Sequence, residues 1–573
     1  MVDLNMENYR NNTQLLLRGL WYSDLPDLLD MEELVDAVDD IFDEINHANV
    51  PAFKQDTDGF ITEFKMIDSP PYIRSPGVEA ISFFDFKKNK SLREMQIPNL
   101  LHYLAFMYNT MLEFSPLFEA LYIEQDNEHY VKNSNSYLVF GEEFVLSNYN
   151  DETKEWEDDD WVLAGVFTTK NNKINSSAAF EENKKRVLAA ERDYIYSLKM
   201  DIESFFPNLY THNFEKMADK EPFSKIGVDF RYFQFLDQFH QRINNNQTKG
   251  IPAGTFSSHV AAELCMLCVD EEIRKYLSTR KNPVGYIRYV DDLTFYSDSE
   301  SELAALYPAV QSILNQYRLR INGNKTEALR AVYAMQSSYL TELDQNLPKL
   351  KLADEAQTLQ LVDFFALKRY IGVCLKDGRS SQIRTVLSRL LGRIQANILV
   401  VDDVIFELFC FLLKLVFEDV TLVSHVYRLL DLLLSKASEP APLLEALQQK
   451  QEKIDAEYPD TLLQIWHYHV RFLRADEAAR AAMIKGLKGK RFHPLVATAM
   501  VLPGKGNNKT LFGLIRDLYK QESSSTQWQS EIMNSKWWLP LFKIMRYDPH
   551  NYDSFMESTN IPELLRLFPI HEE

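Results

Sequence analysis

Apolar positions along this chain change their period near residue 350, and the change divides it into a mixed half and a helical half. Before that point, short runs alternate apolar and polar residues in the two-residue period of strands. The clearest is Gly285-Tyr-Ile-Arg-Tyr-Val-Asp-Asp-Leu-Thr-Phe-Tyr-Ser297, where β-branched and aromatic residues flank Asp291-Asp292. It predicts a β-hairpin with two carboxylates at its tip. A strand is also predicted from Ile195 to Asp201, and another hairpin from Ile81 to Asn99 with Lys87, Lys88 and Lys90 at its turn. Ser299 and Glu302 form a capping box for a helix ending near Tyr317, and 329–335 reads as a last strand. Residues 1 to about 70 read as acidic amphipathic helices at 15–21 and 31–38, ended by Ser69-Pro70-Pro71 and Ser75-Pro76-Gly77. Asp151-Glu-Thr-Lys-Glu-Trp-Glu-Asp-Asp-Asp160 reads as a solvent-facing acidic loop, and 180–190 as a helix with Lys185 and Arg186 on its polar face.

Beyond 350 the spacing is helical. Val426, Leu429, Leu430 and Leu433 form one stripe, with Thr421 as its cap and Pro440 beyond its end. Other helices are predicted over roughly 353–376, 382–397, 403–417, 459–472, 507–521 and 527–547. The succession suggests stacked helix pairs, although no clean repeat period emerges.

Composition narrows the class. A chain of 573 residues is too long for one core, and a 46% hydrophobic fraction suits globular domains. Four cysteines without paired spacing fit a reducing compartment, and no basic-then-apolar leader opens the sequence. The longest apolar stretch, 404–417, is too short to span a bilayer, so a cytoplasmic location without membrane partners is expected. A net charge of −21 opposes broad binding of nucleic acid, whose affinity depends on neutralised phosphates. Any polynucleotide chemistry would need a narrow basic channel inside an acidic shell, or no external duplex at all.

An Asp-Asp turn is by itself an ordinary solvated turn. It gains meaning from Asp201, which closes a strand 90 residues upstream of Asp291. Two neighbouring strands ending in aspartates would bring like charges together, and such a cluster calls for bound cations. Hard oxygen donors favour Mg²⁺ or Mn²⁺, and two such ions suit in-line displacement at phosphorus. Cys265 and Cys268 form a lone Cys-x-x-Cys on a predicted helix, which reads as buried core rather than zinc ligation. His259 on the same helix reads as structural.

With these residues in view, the chain resembles bacterial reverse transcriptases. Asp201 followed by Phe205-Phe206 and the later Tyr289-Val-Asp-Asp292 are similar to two palm blocks of that family. Gly250-Ile-Pro252-Ala-Gly254 and Leu319-Arg-Ile-Asn322-Gly-Asn-Lys325 are similar to two more, in the same order. The resemblance implies an α+β fold: a right-hand polymerase palm and fingers, followed by an all-α HEAT-like helical domain. Its expected divisions are a helical extension at 1–75, fingers and palm at 76–340, and a helical repeat-like domain at 341–573. It implies catalysis by Asp201, Asp291 and Asp292 holding two Mg²⁺ or Mn²⁺ ions, with Lys325 as proton donor to departing pyrophosphate. Phe206 would exclude a 2′-hydroxyl, with a core phenylalanine as the plainer reading. Arg93, in Arg-x-x-x-Ile-Pro-Asn, would meet the triphosphate, with Lys87, Lys88 and Lys90 as weaker candidates. Ile202, Pro252 and Gly254 would line the nucleotide.

The long helical half is similar in layout to the abortive-infection and other defence-associated reverse transcriptases. That likeness implies antiphage defence through template-independent DNA synthesis from deoxynucleotides, primed on a tyrosine of the enzyme. The single-stranded product would then be covalently attached, and the enzyme would be a homo-oligomer. The 28 tyrosines single out no primer. Two other readings stay open: a templated enzyme using its own noncoding RNA, and a helical binding scaffold whose palm only senses nucleotides.

Overall fold

The computed structural model describes residues 16–17, 19–47, 50, 53–64, 78–87, 91–113, 117–122, 130, 133–134, 143–150, 155–163, 167–168, 174–175, 187–330, 340–351, 356–503, 505–523, 526, 528–548, 551–552 and 555. Within them, two hairpins and a four-stranded sheet carry the chemistry-bearing segments. The first hairpin pairs β1 (Ile81–Phe86) with β2 (Leu92–Ile97), antiparallel and in unbroken register from Ile81↔Ile97 to Phe86↔Leu92. The sheet comprises β3 (Tyr196–Asp201), β4 (Gly285–Tyr289), β5 (Asp292–Ser297) and β6 (Glu327–Arg330), in the order β4-β5-β3-β6. β4 and β5 are the predicted hairpin, and β3 is the predicted strand. Directly opposed Tyr286 and Phe295 stack with centroids 4.8 Å apart, the kind of cross-strand pair that fixes register.

Behind the sheet runs the helix Phe256–Ser278, capped where the Thr255 hydroxyl accepts from the Ser258 N–H. Its Val260, Leu264, Leu267 and Val269 are buried, as are Cys265 and Cys268, which remain free thiols. Burial pushes the Cys265 thiol up to about 12, so it acts as a small apolar side chain. The helix Glu300–Gln316 follows the hairpin, and the Ser299 hydroxyl accepts from the Glu302 N–H as expected of a cap. The Glu302 carboxylate goes to Arg280, 2.9 Å from its Nε, so the predicted box is a cap with an ion pair.

The helical half follows with Leu361–Lys376, Ser380–Gln395, Ile405–Glu418, Val423–Lys436, Leu462–Arg474, Lys505–Ser523 and Trp538–Tyr547 as its longer members. The Val426, Leu429, Leu430 and Leu433 stripe is fully buried against the helices Ser380–Gln395, Ile405–Glu418 and Leu462–Arg474. Shorter helices at Ala441–Gln448, Gln451–Glu457, Glu477–Lys485 and Pro494–Ala499 lie between them.

Several sequence expectations are corrected. The helix expected from 353 begins at Leu361, where Gln360 and Asp363 form a capping box, and Gln357–Thr358 pairs instead with Leu399–Val400. The span 527–547 is broken, and its second helix restarts at Trp538, which puts Pro540 in a first turn where it has no intrahelical donor to lose. Thr421 lies in a 3₁₀ turn whose cap is Asp419. The region expected to be wholly helical holds a hairpin of Phe53–Gln55 and Ile61–Phe64, turned at Gly59 (φ 84°), with the Asp56 carboxylate accepting from the Phe60 N–H. Part of the stretch read as an acidic loop is the strand Glu155–Leu163, paired with Glu143–Asn150. Its Trp156, Trp161 and Val162 supply strand preference that the acidic residues masked. Lys88, Lys90, Lys185, Arg186, both Pro breaks and most of the last predicted strand lie outside the described residues.

Buried apolar side chains run from Leu16 to Phe555 as one cluster. The N-terminal segment bridges the halves: the Gly19 carbonyl accepts from the Phe256 N–H, while Asp24 meets Ser424 and Trp466. The fingers hairpin is held at both edges. The Gln96 N–H donates to the Ala253 carbonyl, and the Phe84 N–H donates to the Asp460 carbonyl of the helical half. Among the described residues, no helix is long and apolar enough to cross a membrane.

Candidate active site

The register of the sheet decides which carboxylates meet. Asp201 ends β3 and Asp292 begins β5, and the two face each other across adjacent antiparallel strands. Asp291 sits in the two-residue turn, and its carbonyl accepts from the Ile202 N–H at 3.2 Å. The third pairing edge of Asp201 is the 319–322 segment, where Ile321 bridges Ile202 and the Asn322 N–H donates to the Asp201 carbonyl at 2.7 Å. Three aspartates distant in sequence are thereby fixed at one corner of the sheet.

The turn itself is strained. Val290 has φ 53°, a left-handed conformation that a β-branched residue rarely adopts. Arg288 is the device that holds it. Fully buried, its guanidinium donates to the Val290 carbonyl at 3.1 Å, to Glu263 at 2.8 Å and to Asp270 at 2.8 Å. Tyr286 donates to the same Asp270 at 2.6 Å, and Ser134 to Glu263 at 2.6 Å. Glu263 and Asp270 both lie on the helix Phe256–Ser278, so the hairpin is bolted to that helix by charge-assisted bonds.

The electrostatics are those of a site short of cations. Burial first, then the neighbouring Asp292 and Asp201, push the Asp291 carboxyl up to about 6. Burial and Asp201 raise Asp292 as well. Lys325 partly answers this: its Nζ lies 2.6 Å from Asp201 Oδ1, and the Asn322 amide donates to Oδ2 at 3.1 Å. That hydrogen bond raises the Lys325 ammonium above its ordinary value. The donor set, hard oxygens with mutually raised pKa values and an ammonium as partial counter-charge, fits divalent cations. The aspartates are not the tightest such group. His212, Glu215 and Asp237 have ligand atoms within 4.8 Å of one another. There, however, Asp237 already accepts from Gln241 and pairs with His212 at 2.8 Å, which accounts for that cluster as packing.

The remaining sequence candidates form a second layer. Gly250 (φ 85°) passes so close to Pro207 that a Cβ would lie 3.1 Å from its carbonyl oxygen, and the Ile251 N–H donates to the Phe206 carbonyl. Pro252 is buried, and Gly254 (φ 96°) has no room for a Cβ because Met95 Cε would lie 2.4 Å away. The glycine block therefore joins the Phe206 turn to fingers strand β2. Phe205 is buried and Phe206 half-buried against His259, with centroids 4.9 Å apart. They sit on the helical turn Phe205–Asn208 rather than on a strand, and helical rotation separates them instead of strand alternation. His259 is buried, and burial lowers its imidazole to about 4, a structural residue as expected. Ile202 has a core side chain at 1% exposure and its N–H is engaged, so its side chain does not face a ligand. Arg93 is exposed on β2 opposite Asp85, three residues before the Gln96 that bonds Ala253. Lys87 is also exposed.

Comparison with known proteins places these blocks in a class. Residues 165–357 match the family described as reverse transcriptase (RNA-dependent DNA polymerase), and that stretch contains Asp201, Asp291, Asp292 and Lys325. A retron Ec83 reverse transcriptase from Escherichia coli is 27% identical over 137 residues, which make up 23% of this chain and 42% of that protein. The match thus spans less than half of that relative. Among solved structures, telomerase from Candida albicans with a fragment of telomeric RNA is 13% identical at a TM-score of 0.29, covering 70% of this chain and 68% of that one. Apo telomerase from Candida tropicalis is 12% identical at 0.30, covering 78% and 70%.

Two outcomes are expected. Arg288→Met leaves Glu263 and Asp270 buried without their counter-charge and should cost about 3–5 kcal/mol in chemical unfolding. Asp291 has a folded pKa above its unfolded value, so its contribution is present at low pH and lost as pH rises through about 6. Asp291→Asn should therefore stabilise the metal-free protein above that pH, by on the order of 1 kcal/mol after allowing for solvent access. Thermal unfolding across pH 4 to 8 checks the sign, and added Mg²⁺ should stabilise the wild type alone.

Proposed function

We propose that this chain polymerises deoxynucleotides by nucleotidyl transfer, as a bacterial defence-associated reverse transcriptase whose synthesis needs no template and starts on one of its own tyrosines. The observation that carries the reading is the convergence of Asp201, Asp291 and Asp292 at one sheet corner with Lys325 on Asp201. The three aspartates would hold a pair of Mg²⁺ or Mn²⁺ ions, which activate the attacking oxygen and stabilise the leaving one. Lys325, displaced from Asp201, holds the proton that the departing pyrophosphate oxygen takes. Phe206, fixed through its carbonyl to the glycine block, stands where a 2′-hydroxyl would clash. Arg93 offers a guanidinium fork to the triphosphate from the fingers strand.

Untemplated, self-primed synthesis is favoured by the charge balance, because a net −21 leaves little for an external duplex. The HEAT-like reading of the helical half is favoured by helices that pack on their near neighbours in sequence. Self-association is favoured by apolar surface at Leu361, Val362, Phe365 and Phe406, each about half exposed or more on the first and third long helices of that half. A second reading, templated synthesis on a dedicated noncoding RNA, draws on the likeness to the retron enzyme.

Purified protein with labelled deoxynucleotides and Mg²⁺, but no nucleic acid, should incorporate label into a protein-linked product released by protease. Asp291→Ala and Asp292→Ala should abolish it, and Phe206→Ala should admit ribonucleotides. Label that appears only when copurifying RNA is retained, with a product of defined complementary sequence, selects the templated reading. No incorporation under either condition rejects both. Phe365→Asp should shift the protein to a smaller species by light scattering.

A further inference from the structure

Away from the carboxylate corner, a cavity of about 830 Å³ lies between the N-terminal segment and the helical half. Trp21, Arg428, Trp466, His469, Lys543 and Tyr547 line it. Lys543 is the anomaly. It is only 9% exposed, and its Nζ makes one long hydrogen bond, 3.4 Å to the Thr498 carbonyl. No carboxylate pairs with it among the described residues. The charge felt most is the repulsive one of Arg546, which is itself paired with Glu33 at 2.6 Å. Lysine is almost never buried without a partner, because desolvating an unpaired ammonium costs several kcal/mol.

Arg428 faces the same space. One of its nitrogens donates to the Ser23 carbonyl at 2.6 Å, its Nε is buried without a partner, and the guanidinium lies 6.0 Å over the Trp466 ring. Arg474 also reaches the cavity, but Asp431 neutralises it through bonds of 2.6 and 2.9 Å. The helical wall thus presents two cations and an indole, while Asp27 and Asp30 line the N-terminal wall opposite. Water in the cavity would hydrate Lys543 without supplying the missing negative charge.

We propose that this cavity is a second ligand site, binding a phosphate-bearing molecule of mononucleotide size with its phosphates on Lys543 and Arg428. The volume lies in the range of small-molecule sites. Guanidinium and ammonium suit phosphate oxygens, Trp466 offers a stacking face, and the aspartates opposite suit amino or hydroxyl donors. The site is independent of the polymerase reading, since none of its residues belongs to the carboxylate corner.

The test uses the full-length protein in EDTA, which removes divalent-dependent binding at the aspartates, with ATP and inorganic tripolyphosphate as probes. Calorimetry should detect binding, and thermal unfolding should move upward with ligand. Tighter binding of ATP assigns a nucleotide, and equal binding assigns a free phosphate chain. Lys543→Met should weaken binding by about tenfold or more while leaving Tm equal or higher, the reverse of what loss of a structural lysine would do. Asp201→Asn should bind both probes as the wild type does. No binding of either probe, undiminished binding in Lys543→Met, or lost binding in Asp201→Asn overturns the site. If Lys543→Met lowers Tm, Arg428→Gln decides: weakened binding supports the site and undiminished binding overturns it.

Discussion

The ion network around Arg288 is the constraint on which the rest of the palm depends. A guanidinium with no solvent contact is shared among two carboxylates of one helix and the carbonyl of a strained turn. Such a network is a weak source of net stability, because three charges have lost their water. Its worth lies in geometry. The Val290 conformation is unfavourable alone and persists because Arg288 over-determines it, so Asp291 and Asp292 project from a turn with one shape. A looser turn would let the register slip, and a slip of one residue would send Asp292 to the other face of the sheet.

The carboxylate corner and the network beneath it solve opposite electrostatic problems. Below, negative charge is matched by a buried cation and hydroxyl donors, and the arrangement is closed. Above, the negative charge is left in excess, answered only by a lysine whose side chain is largely exposed. An exposed ammonium is easily displaced, so the same contact that steadies Asp201 in the metal-free protein can be surrendered when stronger cations arrive. The strongly acidic chain places this corner under a negative field, which draws cations toward it.

Much of this was legible in the sequence because the signals were local. Strand alternation located β3, β4 and β5, glycine spacing located the tight passages at 250 and 254, and the stripe at Val426 located a buried helix. The four blocks that resemble reverse transcriptases named Asp201, Asp291, Asp292 and Lys325, and the fold places these four together. Tertiary partnerships were not legible. Arg288 is one charge in an alternating strand, and nothing in its neighbours announces Glu263 and Asp270. Phe206 was assigned to a strand because Ile195 to Asp201 is one, yet Ser204 takes a left-handed turn that starts a helix. Acidic composition hid a strand at Glu155–Leu163, and a buried lysine at 543 is indistinguishable in sequence from a surface one.

The hydrogen bonds on both edges of the fingers hairpin bear on the autonomy of the polymerase half. β1 borrows its outer partner from Asp460, and the Ser82 carbonyl is bonded by His493, so the hairpin is completed by residues far downstream. Excising the helical half would leave an unsatisfied strand edge beside newly bared apolar side chains, a template for aggregation. The two halves are therefore one folding unit in this respect, and nucleotide entry must proceed by side-chain rearrangement rather than by a swing of the hairpin as a free lid.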